Sequence, residues 1–332
     1  MNIIEKTLSN LELGEAIKYE NLAVFPLLSD ENSESDYLTL DEAINENKVK
    51  ITEVSEQGTV PELLLTNSAD KPVLLLDGEE LIGAKQNRII NLTILAPAKQ
   101  SINIPVSCVE AGRWSHRSQE FSTSKRVHYS DGRAQKMGQV NESLRHFRKR
   151  ASNQDEVWNN ISEKAARMES QSVTDAMADI FEQHESSLDD FCSAFATAPT
   201  QAGAIFAING VLKGLELFDA SSTCTKLMPK LIQSYALDAI DMDKIETTTS
   251  VNDDAVTEFL LEAQEVESEL FPAIGLGEDV RLNGDRLCGG ALTHNEKLVH
   301  FCLFRMENWG RRSRHESPIR RASARSRNRS VH

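Results

Sequence analysis

The 332-residue chain lacks any run of about 18 apolar residues, the length a bilayer-spanning helix requires. Its first segment, MNIIEKTLSNLELGEAIKYENL, has no basic region ahead of a long apolar core. A cytoplasmic location without a membrane partner is therefore expected. Cysteine is scarce and dispersed: Cys108, Cys192, Cys224, Cys288 and Cys302 show no CxxC spacing. That pattern argues against a structural zinc or a disulfide framework and fits reduced thiols. No GxSxG, Walker A, HExxH or GxGxxG motif is present, so no ready-made signature assigns a reaction. Positive charge is also short, with 36 Lys and Arg against 51 Asp and Glu and a net charge of −15. Eight of the arginines stand after Trp309 beside a single Glu, so the body ahead of that tail is more acidic still. Such a surface repels nucleic-acid phosphates. Nucleic acid is not an expected partner except through the basic tail, while a local cationic pocket can still take a small anion.

What the chain does contain, 40% hydrophobic and 26% charged residues, suffices for one large domain or two of ordinary size. The organising stretch is PVLLLDGEELIGAKQNRIINLTILAPAKQSINIPVSCVEAGRW, residues 72–114. Arg88, Ile90, Leu92 and Ile94 alternate with period two, as do Ile102, Ile104, Val106, Cys108 and Glu110, the mark of strands with one buried face. A turn near Ala98 would pair Ile94 with Ile102, Leu92 with Ile104, Ile90 with Val106, Arg88 with Cys108 and Gln86 with Glu110. Gln86, Arg88, Cys108 and Glu110 then share an inward face, where they must satisfy each other or hold a ligand. A second hairpin is expected at Asp77-Gly78, which would bring further carboxylates to the same rim.

These features predict an α+β fold, with a β-rich antiparallel N-terminal half and a mixed helix-plus-sheet C-terminal half. The expected division is residues 1–114, carrying the central motif; 115–133, a polar loop or lid; 134–308, a mixed region packed on the first; and 309–332, a basic disordered tail. Strands are expected at 22–28, 49–54 and 61–67, with a short helix opening at Thr39 or Asp41. Helical spacing covers 134–150, 154–170, 172–195, 223–240 and 251–270, with Pro229 tolerable in a first turn. Asn209-Gly210, Asn283-Gly284-Asp285 and His294-Asn295-Glu296 signal hairpins.

The runs DGEELIGAKQNRIINLTILAPA, IPVSCVEAGRW, PTQAGAIFAINGVLKGLELFD, LMPKLIQSYALDAID and FPAIGLGEDVRL resemble the ARG-and-rhodanese-phosphatase-superfamily-associated protein domain, a bacterial and archaeal family, over residues 10 to 305. The family's name implies association with ADP-ribosylglycohydrolases, hence with ADP-ribose or related nucleotide metabolism and a partner enzyme of it. The family pattern maps onto Asp77, Gly78, Glu80, Gly83, Lys85, Gln86, Asn87, Arg88, Cys108, Glu110, Gly112, Arg113, Trp114, Gln201, Gly203, Asp219, Gly277, Glu278 and Asp279. The chain departs from it after Asn308, and at His116, where an aromatic residue is expected.

Hydrolysis of a small nucleotide-derived or ADP-ribose-linked compound needs a carboxylate to activate water, an acid for the leaving group, and cations for phosphate. Glu80 and Glu110 are the acid/base candidates, with Asp77 as alternate and Cys108 as a possible nucleophile. Lys85, Arg88 and Arg113 would hold anionic oxygens, Gln86 and Asn87 would orient polar groups, and Trp114 would stack on a base or sugar. Gln201, Glu278 and Asp279 are candidates for the rim. Structural readings stand beside each: a buried Glu110–Arg88 ion pair, a packed thiol at Cys108, a solvated Gln201, and a plain turn into a strand at Glu278-Asp279. Asp77, Glu79, Glu80 and Glu110 offer hard oxygens that magnesium or manganese would take, but no metal is assigned. The rival class is a non-catalytic module that senses a nucleotide-like ligand or docks a partner.

Overall fold

Asn209 and Gly210 both adopt positive φ, 50° and 75°, the backbone that a two-residue hairpin turn demands. They join Gln201–Ile208 to Val211–Phe218 at the middle of a nine-stranded, wholly antiparallel sheet. The computed structural model describes residues 3–30, 34–55, 61–242 and 251–306. On one side of this hairpin Leu22–Leu28 pairs with Gln201–Ile208, and Glu12–Leu13 and Ile17–Tyr19 flank Leu22–Leu28. On the other side follow Lys297–Arg305, Leu287–His294, Glu278–Asn283 and Glu267–Pro272. The hairpins expected at 283–285 and 294–296 are both present, the second with Asn295 and Glu296 at positive φ.

Both faces of the sheet are covered, and the strand sequences show why. Ala204, Phe206 and Ile208 point into one core, with Val299 and Phe304 from Lys297–Arg305. Ile205, Phe301 and Leu303 point into the other. Period-two alternation therefore sends apolar side chains both ways, each fully buried Leu or Phe contributing about 1.5–3 kcal/mol. Five helices cover the first face: Ser130–Phe147, Gln154–Arg167, Met177–Gln183, Glu185–Ala194 and Ser221–Asp241. Ile3–Leu8 and Asp253–Glu265 cover the second.

The central motif builds a separate six-stranded antiparallel sheet in the order Phe121–Val127, Glu79–Gly83, Arg88–Ile90, Ser101–Cys108, Glu62–Asn67, Val49–Glu53. A three-stranded sheet of Ile94–Ala96, Val73–Leu75 and Leu38–Thr39 closes over the same apolar core of Leu65, Leu75, Leu81, Ile90, Ile104 and Val106. The helix Leu40–Asn45 opens from Thr39, whose hydroxyl accepts from Glu42 N while Glu42 answers Thr39 N in a capping box.

Several expectations change here. Ile90 does face Val106 and Arg88 does face Cys108. Beyond Ile90 the hairpin splits: Ile94–Ala96 leaves to pair with Val73–Leu75, and Ser101–Pro105 pairs with Glu62–Thr66 instead. Asp77-Gly78 is not a hairpin turn but the point where the chain passes from the three-stranded to the six-stranded sheet, with Gly78 at φ +80°. The polar segment 115–133 contains the strand Phe121–Val127, anchored by its buried ends, and the start of a helix. Residues 172–195 form two helices that break at His184. Pro229 lies inside Ser221–Asp241 rather than in its first turn, the helix being held by buried Leu227, Leu231 and Tyr235. The first half also lends three strands to the large sheet, so pairing crosses the boundary placed at residue 114. The tail after Trp309 lies outside the described residues. Among the described residues no helix is long and apolar enough to cross a membrane.

A buried ionic network ties the two sheets together through the helix Ser130–Phe147. Arg133 donates to Glu216 (2.6 Å) on the large sheet and to Asp77 (3.3 Å) at the junction of the smaller ones. Lys136 binds Asp77 and the carbonyls of Ile90 (2.9 Å) and Asn91 (3.0 Å). His300 bridges Glu216 Oε2 (3.1 Å) and Thr93 Oγ1 (2.8 Å). Arg133, Asp77 and Glu216 have no solvent exposure. Burial alone would lower the Arg133 pKa, but Glu216 and then Asp77 overcome it and raise it. Removing one member strands the others' charge. Arg133→Met is therefore expected to lower unfolding free energy by about 3–5 kcal/mol in urea titration; a loss under about 1 kcal/mol would mean that the network does not join the sheets.

Candidate functional site

The structure gathers eight of the residues singled out in the sequence. Lys85, Gln86, Asn87 and Arg88 follow the strand Glu79–Gly83, and Cys108, Glu110, Arg113 and Trp114 lie at the end of Ser101–Cys108 and just beyond it. Glu110 is the hub. Its carboxylate accepts from Arg113 Nε (2.8 Å) and Nη2 (2.6 Å), from Asn87 N (3.0 Å) and from the Thr174 hydroxyl (2.8 Å). Burial pushes its pKa up, but the bonds from Arg113, Asn87 and Thr174 outweigh that and hold it below the usual carboxylate range. With its oxygens engaged, Glu110 is a clasp rather than a base. Arg113 is equally occupied, donating also to Ala84 O (2.7 Å), Ser115 O (2.9 Å) and Asn87 Oδ1 (3.1 Å). Glu110 thus has a buried ion-pair partner, but that partner is Arg113 rather than Arg88.

Gln86 donates to Glu110 O (2.9 Å) and accepts from Arg88 Nη1 (2.8 Å) and the Cys108 thiol (3.0 Å). Burial raises the Cys108 thiol pKa, which removes the thiolate a nucleophile needs. Trp114 is 52% exposed and covers Lys85 and Arg88, which lie 5.4 and 5.8 Å from its ring centroid.

The remaining candidates lie elsewhere. Asp77 belongs to the Arg133–Lys136 network. Glu79 is paired with Lys230 (2.5 Å). Gln201 closes its own loop, accepting from Ala198 N (3.1 Å) and donating to Gly203 O (3.0 Å). Asp279 accepts from Arg281 Nε (2.6 Å), and Glu278 is exposed at the start of the same strand. Each of the carboxylates Asp77, Glu79 and Glu110 is taken by a cation of the chain, so they form no oxygen cage for magnesium or manganese. Glu216, His300 and Cys302 also converge among the described residues, within the network already occupied by Arg133.

Glu80 is the exception. It is fully buried, neither carboxylate oxygen has a hydrogen-bond partner among the described residues, and desolvation carries its pKa to about 7. It pairs with Ile89 while Arg88 pairs with Leu81, so its side chain leaves the opposite face of the sheet from Arg88.

A cleft of about 820 Å³ lies away from that cluster. Its wall is the helix Ser130–Phe147, contributing Asp131, Gln135, Gln139, Glu142 and His146. Facing it are Lys213 of the central hairpin, Asp238 and Asp241 from the last turns of Ser221–Asp241, and Arg167. The helix Ser130–Phe147 has no cap of its own at Tyr129. Asp238 supplies one from across the cleft, accepting from the Ser130 hydroxyl and from Asp131 N (2.8 Å), and from Lys164 (2.7 Å). Asp241 is held by Lys164 (3.0 Å) and Arg167 (2.6 Å). Asp131 reaches the cleft and accepts from Gln135 (2.8 Å). Asp131 is itself exposed at the cleft wall, where partial loss of hydration, and then the Asp238 carboxylate, push its pKa up. Sequence reading missed this site because Asp131 and Asp238 are 107 residues apart and sit in unremarkable helical patterns.

These features define an α+β protein with a mixed-charge cleft lined by helices against an antiparallel sheet. The sequence matches the ARG and Rhodanese-Phosphatase-superfamily-associated Protein domain over residues 10–304, and the chain belongs to that family. No curated protein and no solved structure matches it.

Glu80 makes a prediction about pH. Its carboxyl holds a proton in the folded state up to about pH 7, whereas unfolded it ionises near 4.5. Folding then binds the extra proton, and stability falls as pH rises from 4.5 to 7, by about 3 kcal/mol in all. Glu80→Gln should remove that fall, so that the variant gains on the wild type between pH 4.5 and 8 in denaturant titrations. A parallel pH dependence of the two proteins would show that Glu80 is ionised in the fold.

Proposed function

We propose that the chain is a hydrolase-like enzyme whose cleft takes a small nucleotide-derived or ADP-ribose-linked compound, with Asp131 as the proton-transfer group. The observation that supports this is the placement of the exposed Asp131 carboxyl in a cleft of ligand size, beside a second carboxylate that accepts three hydrogen bonds, with its pKa pushed upward there. Gln135, Gln139, Ser143 and Asn153 suit the hydroxyls of a sugar, and Lys213 and Arg167 suit an anionic group. Acids outnumber cations along the walls, so the hydroxyl-bearing part of the ligand faces Asp131. In the reaction, water adds to the sugar carbon, the bond to the leaving group breaks, and Asp131 passes its proton to the departing oxygen or nitrogen. The proton released by the water restores Asp131. The family's name, which couples it to ARG and to rhodanese-phosphatase-superfamily proteins, supports an associated partner protein.

A second reading has its own support. Asp238 and Asp241 are committed to Ser130, Lys164 and Arg167, which leaves no free carboxylate beside Asp131 to activate water. On that reading the cleft senses a nucleotide-like ligand or docks a partner without turnover.

The two separate in one experiment. A thermal-shift screen against ADP-ribose, NAD, nucleotides and sugar phosphates should give stabilisation by one class, followed by turnover of that class. In the enzyme, Asp131→Asn keeps the thermal shift and loses turnover by about 100-fold or more. In the sensor the shift itself shrinks and no product forms. No stabilisation by any class would exclude both.

A further inference from the structure

Arg88 and Arg113 lie in the same buried cluster, and their guanidinium groups differ in one respect. Arg113 presents its Nε and Nη2 edge to Glu110, which fills it with two oxygens at 2.8 and 2.6 Å. Arg88 uses only Nη1, on Gln86 Oε1 (2.8 Å). Its Nε and Nη2 have no hydrogen-bond partner among the described residues, and the residue has no solvent exposure. These two nitrogens form one planar edge, the one that grips a carboxylate or a phosphate with two parallel bonds.

The surroundings keep that edge in place. Gln86 is itself fixed by its bond to Glu110 O and by the Cys108 thiol, so the oxygen that holds Arg88 Nη1 is held in place in turn. The nearby carboxylate, Glu110, is spent on Arg113, and Arg117 adds a further cation 3.9 Å from it. The cluster is thus positive within an acidic protein. Its roof is Trp114, 52% exposed, on the segment between Ser101–Cys108 and Phe121–Val127, with Lys85 and Arg88 against its face.

We propose that the Nε/Nη2 edge of Arg88 is a binding site for the carboxylate or phosphate group of a small molecule, with Trp114 as the side chain that moves to admit it. The site is separate from the Asp131 cleft and does not depend on the function assigned there. Carboxylate and phosphate share the chemistry of two coplanar oxygens, and titration with each separates them.

The test uses the full chain at constant ionic strength set with chloride. Inorganic phosphate and acetate are titrated by calorimetry and by tryptophan fluorescence. One of them should bind saturably at one site, with a fluorescence change that Trp114→Phe abolishes. Arg88→Lys keeps the charge but lacks the planar edge, and should weaken binding at least tenfold. Trp114→Ala, at an exposed position, should fold normally and bind faster. Should Arg88→Lys fail to fold, the wild type still decides the matter, because the Nε–H resonance of Arg88 must shift as the anion saturates. Absence of saturable binding by both anions, unchanged affinity in Arg88→Lys, or an unmoved Arg88 resonance each overturns the proposal, leaving a hydrated arginine or nonspecific surface binding.

Discussion

The fold depends on how a guanidinium and an ammonium group are neutralised where no water reaches them. Arg133 and Lys136 stand on one helix, and the anions that answer them among the described residues, Asp77 and Glu216, come from the junction of the two smaller sheets and from the large sheet. A buried charge left alone costs several kcal/mol, so helix, large sheet and small sheets must meet in one arrangement. Hydrophobic burial supplies most of the stability, but it is non-directional. The ion pairs add a register: Glu216 must face the helix, so Leu217 next to it faces the other core.

That arrangement also places the cleft. With the helix Ser130–Phe147 held at Arg133 and Lys136, its first turn projects past the end of Ser221–Asp241, and Asp238 becomes its cap. Asp131 then lies beside the Asp238 carboxylate, its backbone N–H donating to it.

The motif around Glu110 shows how dense polar character can mean two different things. Glu110, Arg113, Asn87 and Thr174 satisfy each other, which is what a buried polar group requires when it has no ligand. Arg88 sits in the same cluster with its best edge bare, and Glu80 sits on the other face of the same sheet with no partner among the described residues. Composition does not separate these cases. Hydrogen-bond geometry does.

Period-two alternation, turn residues and the capping pattern at Thr39 are local signals, and most of them survived in the structure, the Asp77-Gly78 hairpin and the pairing beyond Ile90 excepted. The Asn209-Gly210 hairpin, the pairing of Ile90 with Val106 and Arg88 with Cys108, and the convergence of Gln86, Arg88, Cys108 and Glu110 follow from such signals alone. Backbone preference and side-chain periodicity act over a few residues, so the chain states them directly. The exchange of strands beyond Ile90, the pairing of Leu22–Leu28 with Gln201–Ile208, and the partners of Arg113, Asp77 and Asp131 were decided by the tertiary structure. Those choices compare competing burial and charge compensation between segments separated in sequence, and such a comparison exists only once the chain has closed on itself.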